Sequence, residues 1–177
     1  MKKISMVAMG LLLAASQVNA AEASDGTINF KGEITSQTCT VNVNNSGNSS
    51  TLVNLPKVTT GVLNAAGAVA GNTRFTMALS NCSAQTGNVY AYFEQGANVN
   101  AEGRLTNTGS ATGVDLQLLD SANKLINAGG FEQTTSPATV PLTAGAGTLS
   151  YSAQYYATAA AGAGSVLSTV NYSIIYL

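Results

Sequence analysis

The sequence has no histidine, no tryptophan, only two cysteines and three prolines. It is also short of charge: 8 % of its 177 residues are Asp, Glu, Lys or Arg, against about 25 % in an average soluble domain. Each shortage closes a class of function. Without histidine no Ser-His-Asp or Cys-His centre can be assembled. A zinc site of the usual Cys and His ligands would lack most of its donors. Seven basic residues against eight acidic ones leave no basic footprint for nucleic acid. Asp115 and Asp120 show no spacing suited to paired-carboxylate catalysis or to a calcium loop. No enzymatic activity, cofactor or metal is therefore expected. Disorder is excluded from the other side, because 45 % of the chain is hydrophobic and little of it repels itself.

What is present begins with an export signal. Lys2 and Lys3 precede an apolar run from Ile4 to Ala15, and Val18-Asn19-Ala20 supplies small residues for cleavage. Cleavage is expected after Ala20, with Ala23 as the alternative. A membrane anchor is the competing reading, but the run is shorter than the roughly 20 apolar residues that span a bilayer. No stable membrane insertion is expected. Cleavage leaves 157 residues and removes two lysines, so five basic residues face eight acidic ones. In an oxidising compartment Cys39 and Cys82 should form a disulfide rather than stay as two buried thiols. It would close a loop that the chain-entropy account values at about 4 kcal/mol.

The mature part alternates with a period of two. Ile28, Phe30, Gly32 and Ile34 share one face of a strand; Thr27, Asn29, Lys31 and Glu33 share the other. Further strands are expected over Thr38 to Val43, Thr51 to Val53, Arg74 to Leu79, Val89 to Phe93, Gly113 to Asp120 and Thr148 to Thr158. Asn64 to Gly71 is the one stretch expected to hold a helical turn. The last strand is the clearest: Val166, Ser168, Val170, Tyr172, Ile174 and Tyr176 fall on one face. Many short strands separated by Gly, Asn and Ser clusters indicate an all-β sandwich. Arg74 and Arg104 are expected on a solvated face.

Several of these stretches together resemble the major subunit of type 1 fimbriae, in the chaperone–usher pilin family. They are Gly26 to Ile34 before Cys39, Phe75-Thr76-Met77-Ala78-Leu79-Ser80-Asn81-Cys82, Gly113 through Asp120, Tyr155-Tyr156-Ala157-Thr158, and an alternating end with penultimate Tyr176 and with Gly164 fourteen residues from the terminus. The matches run through the whole mature chain in order.

The resemblance implies an incomplete immunoglobulin-like sandwich, a pilin domain lacking its last strand and completed by a donor strand. It implies a signal peptide at 1–20, an N-terminal extension at 21–36 and a pilin domain at 37–177. Ile28, Phe30, Gly32 and Ile34 would be the donor residues. Gly164, Val166, Val170, Tyr172, Ile174, Tyr176 and Leu177 would form the acceptor groove and chaperone site. By alternation alone, Thr27 to Ile34 reads equally as the first strand of a closed sandwich, and Gly164 as an ordinary loop glycine.

The implied partners are identical subunits, a periplasmic chaperone, an outer-membrane usher and tip adaptor subunits, with export through the periplasm to a surface fimbrium. Donor-strand exchange would polymerise the subunit into a rod that supports bacterial adhesion. A tip adhesin needs an extra lectin domain, and a termination subunit lacks a donor strand. A minor or adaptor pilin, or a secreted glycan-binding sandwich, are the alternative readings; 6 % aromatic content and no tryptophan disfavour the second.

Overall fold

The computed structural model describes residues 28, 29, 31 and 38–177. The chain divides into two units, Met1–Ile34 and Thr35–Leu177. Of the first, only Ile28, Asn29 and Lys31 are described, all exposed. The strand expected over Thr27 to Ile34 therefore falls mostly outside the described residues, including Phe30, Gly32 and Ile34.

Among its described residues the second unit holds nine strands: β1 (Thr40–Val43), β2 (Val69–Ser80), β3 (Asn88–Phe93), β4 (Leu105–Thr106), β5 (Val114–Leu119), β6 (Leu125–Ile126), β7 (Val140–Pro141), β8 (Gly147–Ala157) and β9 (Tyr172–Tyr176). They form two antiparallel sheets. The larger runs β1-β2-β8-β5-β4, with β6 also on β5; the smaller runs β7-β3-β9. Alternation decides which side chains meet between them. Phe75, Met77 and Leu79 of β2, Leu149, Tyr151 and Ala153 of β8, and Leu116 and Leu118 of β5 face Val89, Ala91 and Phe93 of β3 in one core. Phe93 meets the Tyr151 ring edge-on at 5.1 Å, a favoured aromatic geometry. The cysteines are joined, Cys39 to Cys82, which fastens the segment before β1 to the end of β2.

The outer face of the large sheet is polar but not bare. Arg104 lies 3.2 Å from Asp115 and 4.5 Å above the Tyr156 ring. It thus has specific partners, unlike the freely solvated residue expected, whereas Arg74 is exposed.

The strands over 40–43, 88–93, 114–119 and 147–157 match the sequence reading closely, while other features differ. β2 begins at Val69, five residues before Arg74, because a register break between Ala70 and Thr73 lets the strand continue. Gly71 sits in that break at φ +69°, so it serves a bulge and not the end of a helical turn. The helical turn lies earlier, at Thr60–Leu63.

A second short helix, α1 (Glu132–Thr135), was not legible in the sequence. Its Gln133 is buried and serves β3 where β7 has ended. The Gln133 Oε1 accepts from the Phe93 amide at 2.9 Å, and its Nε2 donates to the Phe93 carbonyl at 3.0 Å. The Tyr151 hydroxyl accepts from the Ala91 amide at 2.9 Å. Side chains thus satisfy main-chain groups that no strand reaches.

Finally, Thr51 to Val53 and Ser165 to Asn171 carry no ladder. Residues 165–167 bond instead to the 107–111 loop, partly through the Asn107 and Ser110 side chains. A Cβ at Gly109 would collide with the Ser165 carbonyl, and one at Gly164 with the Ala111 amide. These two glycines allow that close approach.

Candidate functional site: an open slot between two unpaired walls

β9 is the edge of the small sheet. Its pairing with β3 places Val89 opposite Tyr176 and Phe93 opposite Tyr172. The Leu177 amide donates to the Asn88 carbonyl and the Glu94 amide to the Asn171 carbonyl. In an antiparallel ladder hydrogen-bonded pairs alternate. Residues 171, 173, 175 and 177 therefore spend their main-chain groups on β3. Tyr172, Ile174 and Tyr176 direct theirs to the other edge, where no described strand pairs.

The side chains of that edge tell the same story. Val166, Ser168, Val170, Tyr172, Ile174 and Tyr176 are all half-buried, while Ser165, Leu167, Thr169 and Asn171 are exposed. The apolar ones pack on the core without being sealed by it. This is a period-two face with one layer of cover missing. Gly164 lies at its start, and Leu177, 68 % exposed, at its end.

The facing wall was not identified from sequence. Residues 49–58 lie between β1 and β2 and take part in no main-chain to main-chain hydrogen bond among the described residues. Val53 and Leu55 pack on the same core, and Asn54 and Pro56 are exposed. The signal was present as Val53-x-Leu55, a period-two pair too short to stand out. A strand there earns its label only with a partner, which is why the expected Thr51 to Val53 strand has no ladder.

Two tyrosines, one on β9 and one on β8, bond to the 49–58 wall. The Tyr172 hydroxyl donates to the Ser49 carbonyl at 2.6 Å, and the Tyr155 hydroxyl to the Pro56 carbonyl at 3.2 Å. Burial raises both phenol pKa values. Burial also raises that of Tyr176, with partial relief from a hydrogen bond to the Cys39 main chain. At one end the walls part around a cavity of ≈ 640 Å³, lined by Lys57, Val58, Leu63, Tyr155, Gly164 and Val166 among others.

Chemically this arrangement offers no reacting group. It offers two rows of unpaired main-chain donors and acceptors over a half-buried apolar floor, which is what an extended peptide needs to dock as a strand. Of the expected site residues, the structure gathers Gly164, Val166, Val170, Tyr172, Ile174, Tyr176 and Leu177 along one wall. Ile28 is described only as exposed; Phe30, Gly32 and Ile34 lie outside the described residues. Among the described residues no helix is long and apolar enough to cross a membrane.

Comparison with known proteins agrees with this architecture. The family described as "Fimbrial protein" matches residues 28–176. The chain is 47 % identical over 173 residues to the major fimbrial subunit SMF-1 of Stenotrophomonas maltophilia, covering 93 % of this chain and 99 % of that one. It is 44 % identical over 184 residues to the F17 fimbrial protein of Escherichia coli, covering 99 % of each. Among solved structures, the P pilus rod subunit PapA superposes with a TM-score of 0.56 at 19 % identity, over 78 % of this chain and 99 % of that one. That likeness supports the pilin-type, immunoglobulin-like fold. By its sequence from residue 28 to residue 176, the chain belongs to the fimbrial protein family.

Proposed function

We infer that this structural fimbrial subunit is built into a pilus by accepting, in the slot between residues 49–58 and β9, an extended strand from another chain. The observation that carries the reading is the pair of unpaired main-chain edges facing one half-buried apolar floor. The donor we assign is the N-terminal extension, residues 21–36 of the next subunit, with Ile28, Phe30, Gly32 and Ile34 directed into the slot. Large apolar residues such as Ile and Phe gain about 1.5–3 kcal/mol each on full burial, and the main-chain bonds along both edges add to this. Gly32 lets the strand approach closely where a side chain would hold it off.

An exposed slot of this kind is an aggregation hazard, so a periplasmic chaperone strand occupies it first. An outer-membrane usher then presents each subunit for exchange, and tip adaptors join by the same contact. The chain is exported through the periplasm, after loss of residues 1–20, to the cell surface. The bond between subunits is non-covalent. Nothing in this role requires catalysis, and fimbrial structural subunits are not enzymes. A rod built this way supports bacterial adhesion by carrying whatever binds at its tip.

The test is to delete residues 21–34. The shortened chain keeps its slot and is expected to bind the chaperone but to form no filaments, as seen by electron microscopy. Filaments made of the shortened chain alone would overturn the reading.

A further inference from the structure

The small sheet has two edges, and among the described residues β9 forms the bare one. The other edge is met by too little strand to cover it. β7 pairs with β3 at Asn88 and Val89 alone, yet β3 runs on to Phe93. Tyr90 and Tyr92 direct their main-chain groups to β9, so Val89, Ala91 and Phe93 direct theirs the other way. Past Val89 that edge is left without a strand, but it is not left open.

Two side chains close it. The Tyr151 hydroxyl, reaching over from β8 in the opposite sheet, accepts from the Ala91 amide. The Gln133 carboxamide accepts from the Phe93 amide and donates to the Phe93 carbonyl. A carboxamide offers the same donor and acceptor as a peptide group. Gln133 thus fills the place of one residue of a pairing strand. It is itself held, because its Nε2 also donates to the Asn127 carbonyl at 2.9 Å. The space left here is a cavity of ≈ 50 Å³ lined by Ala91, Gln133, Pro137 and Tyr151 among others. That is room for a water or two and none for a strand.

β7 is blunted on its outer side as well. The Leu142 amide donates to the Gly87 carbonyl, so residues 140 and 142 face β3 and residue 141 faces outward. Residue 141 is a proline and has no N–H to offer. Proline on an edge strand is one of the ways natural sheets refuse a further strand. The two edges of one sheet are therefore treated in opposite ways.

We propose that Tyr151, Gln133 and Pro141 seal the β3–β7 side of the small sheet against pairing with a second copy of this chain, so that β9 is left as the sheet's single joining edge. The contact refused is the same edge of the second copy, laid antiparallel against its own. Such a contact is isologous and closes into a dimer, whereas a head-to-tail contact continues a filament. A subunit with two bare edges would divert into closed pairs. The inference concerns the edge opposite the slot and does not depend on which strand enters there.

The experiment uses the full chain purified with its chaperone. Tyr151→Phe keeps the ring against Phe93 and removes the hydroxyl. Gln133→Leu keeps the approximate size and removes both bonds. Pro141→Val, at an exposed position, restores an outward donor. At low concentration, exchange of the Ala91 amide should quicken about two- to tenfold in Tyr151→Phe, and that of the Phe93 amide likewise in Gln133→Leu, the range set by one net hydrogen bond. The Tyr90 and Tyr92 amides should not change. In sedimentation velocity at rising concentration, the triple variant should pair complex with complex, while the parent keeps its mass. Pairing should persist when residues 21–34 are also deleted. A folded triple variant that keeps the parent's mass would overturn the proposal, as would pairing that vanishes with residues 21–34. If Gln133→Leu prevents folding, the Tyr151→Phe, Pro141→Val double variant carries the same test with the same two outcomes. Neither outcome bears on the slot, which the deletion of residues 21–34 tests by filament formation.

Discussion

The β2–β8 pair and the slot between residues 49–58 and β9 are the finished and unfinished halves of one sandwich. β2 and β8 are in register over Val69 to Leu79 with a single break, and their inward side chains include Met77 and Leu149, each 1 % exposed. The slot has residues of the same kind at the same period, yet none of the β9 side chains is fully buried. The difference is not in composition. Tyr172, Ile174 and Tyr176 are large residues at least as strand-prone as Phe75, Met77 and Leu79. What separates the two regions is the absence of a paired neighbour on the open edge among the described residues. Incompleteness can therefore be encoded by strand count alone, with each strand locally well formed.

The largest expected effect comes from removing the covalent link that closes the chain segment carrying residues 49–58. Replacing Cys39 and Cys82 with serine is expected to cost about 4 kcal/mol, a large share of the 5–15 kcal/mol typical of a domain. Denaturant melts of the unfilled subunit would show it, and the loss should shrink when the slot is filled.

A paired measurement on the two halves comes next. Leu149→Ala should destabilise unfilled and filled subunits alike, by about 2–5 kcal/mol. Ile174→Ala should cost roughly 1 kcal/mol when the slot is empty and approach the core value when it is filled, since only then is its site sealed. Equal costs in both states at Ile174 would break the contrast.

Alkaline pH offers a smaller effect. Burial raises the phenol pKa values of Tyr90, Tyr151, Tyr155, Tyr172 and Tyr176. An unfolded tyrosine then loses its proton more readily than a folded one. The stabilising contribution is complete below about pH 10 and is lost as pH climbs through the raised values. With no histidine in the chain, no imidazole switch operates between pH 5 and 8. Thermal melts against pH should fall away above about 10, and earlier for the unfilled subunit. The smallest effect belongs to the outer face of the large sheet. Arg104→Ala removes a partly buried ion pair and a cation–π contact and should cost about 1 kcal/mol without altering strand entry into the slot.

Much of this was readable before any coordinates. Strand-forming tyrosines and phenylalanine marked 89–93 and the late strand at 148–158, and alternation marked 74–79 within β2, where every second residue is buried. The period-two face from Val166 to Tyr176 was legible for the same reason. The facing wall was not, because Val53 and Leu55 alone make too short a pattern among exposed neighbours. Tyr155 could not be told from any other late-strand aromatic, since its bond to Pro56 depends on the bulge at Gly71, where a Cβ would meet its ring, and a register break between two strands leaves no local periodicity. Gln133 was missed because a single buried amide in a four-residue helix has no signature; its place is set by the main-chain groups of β3 that β7 fails to reach.

The central claim is that both walls of the slot are main-chain edges awaiting a strand, and amide hydrogen exchange tests it most directly. A copy of residues 24–34 joined after Leu177 through a short linker should place a donor strand in the chain's own slot. The account predicts a stable monomer in which amides of 49–58 and of Tyr172, Ile174 and Tyr176 become strongly protected, having exchanged freely in the unfilled subunit. Protection of those amides before any strand is supplied, or its absence in the fused chain, would contradict it.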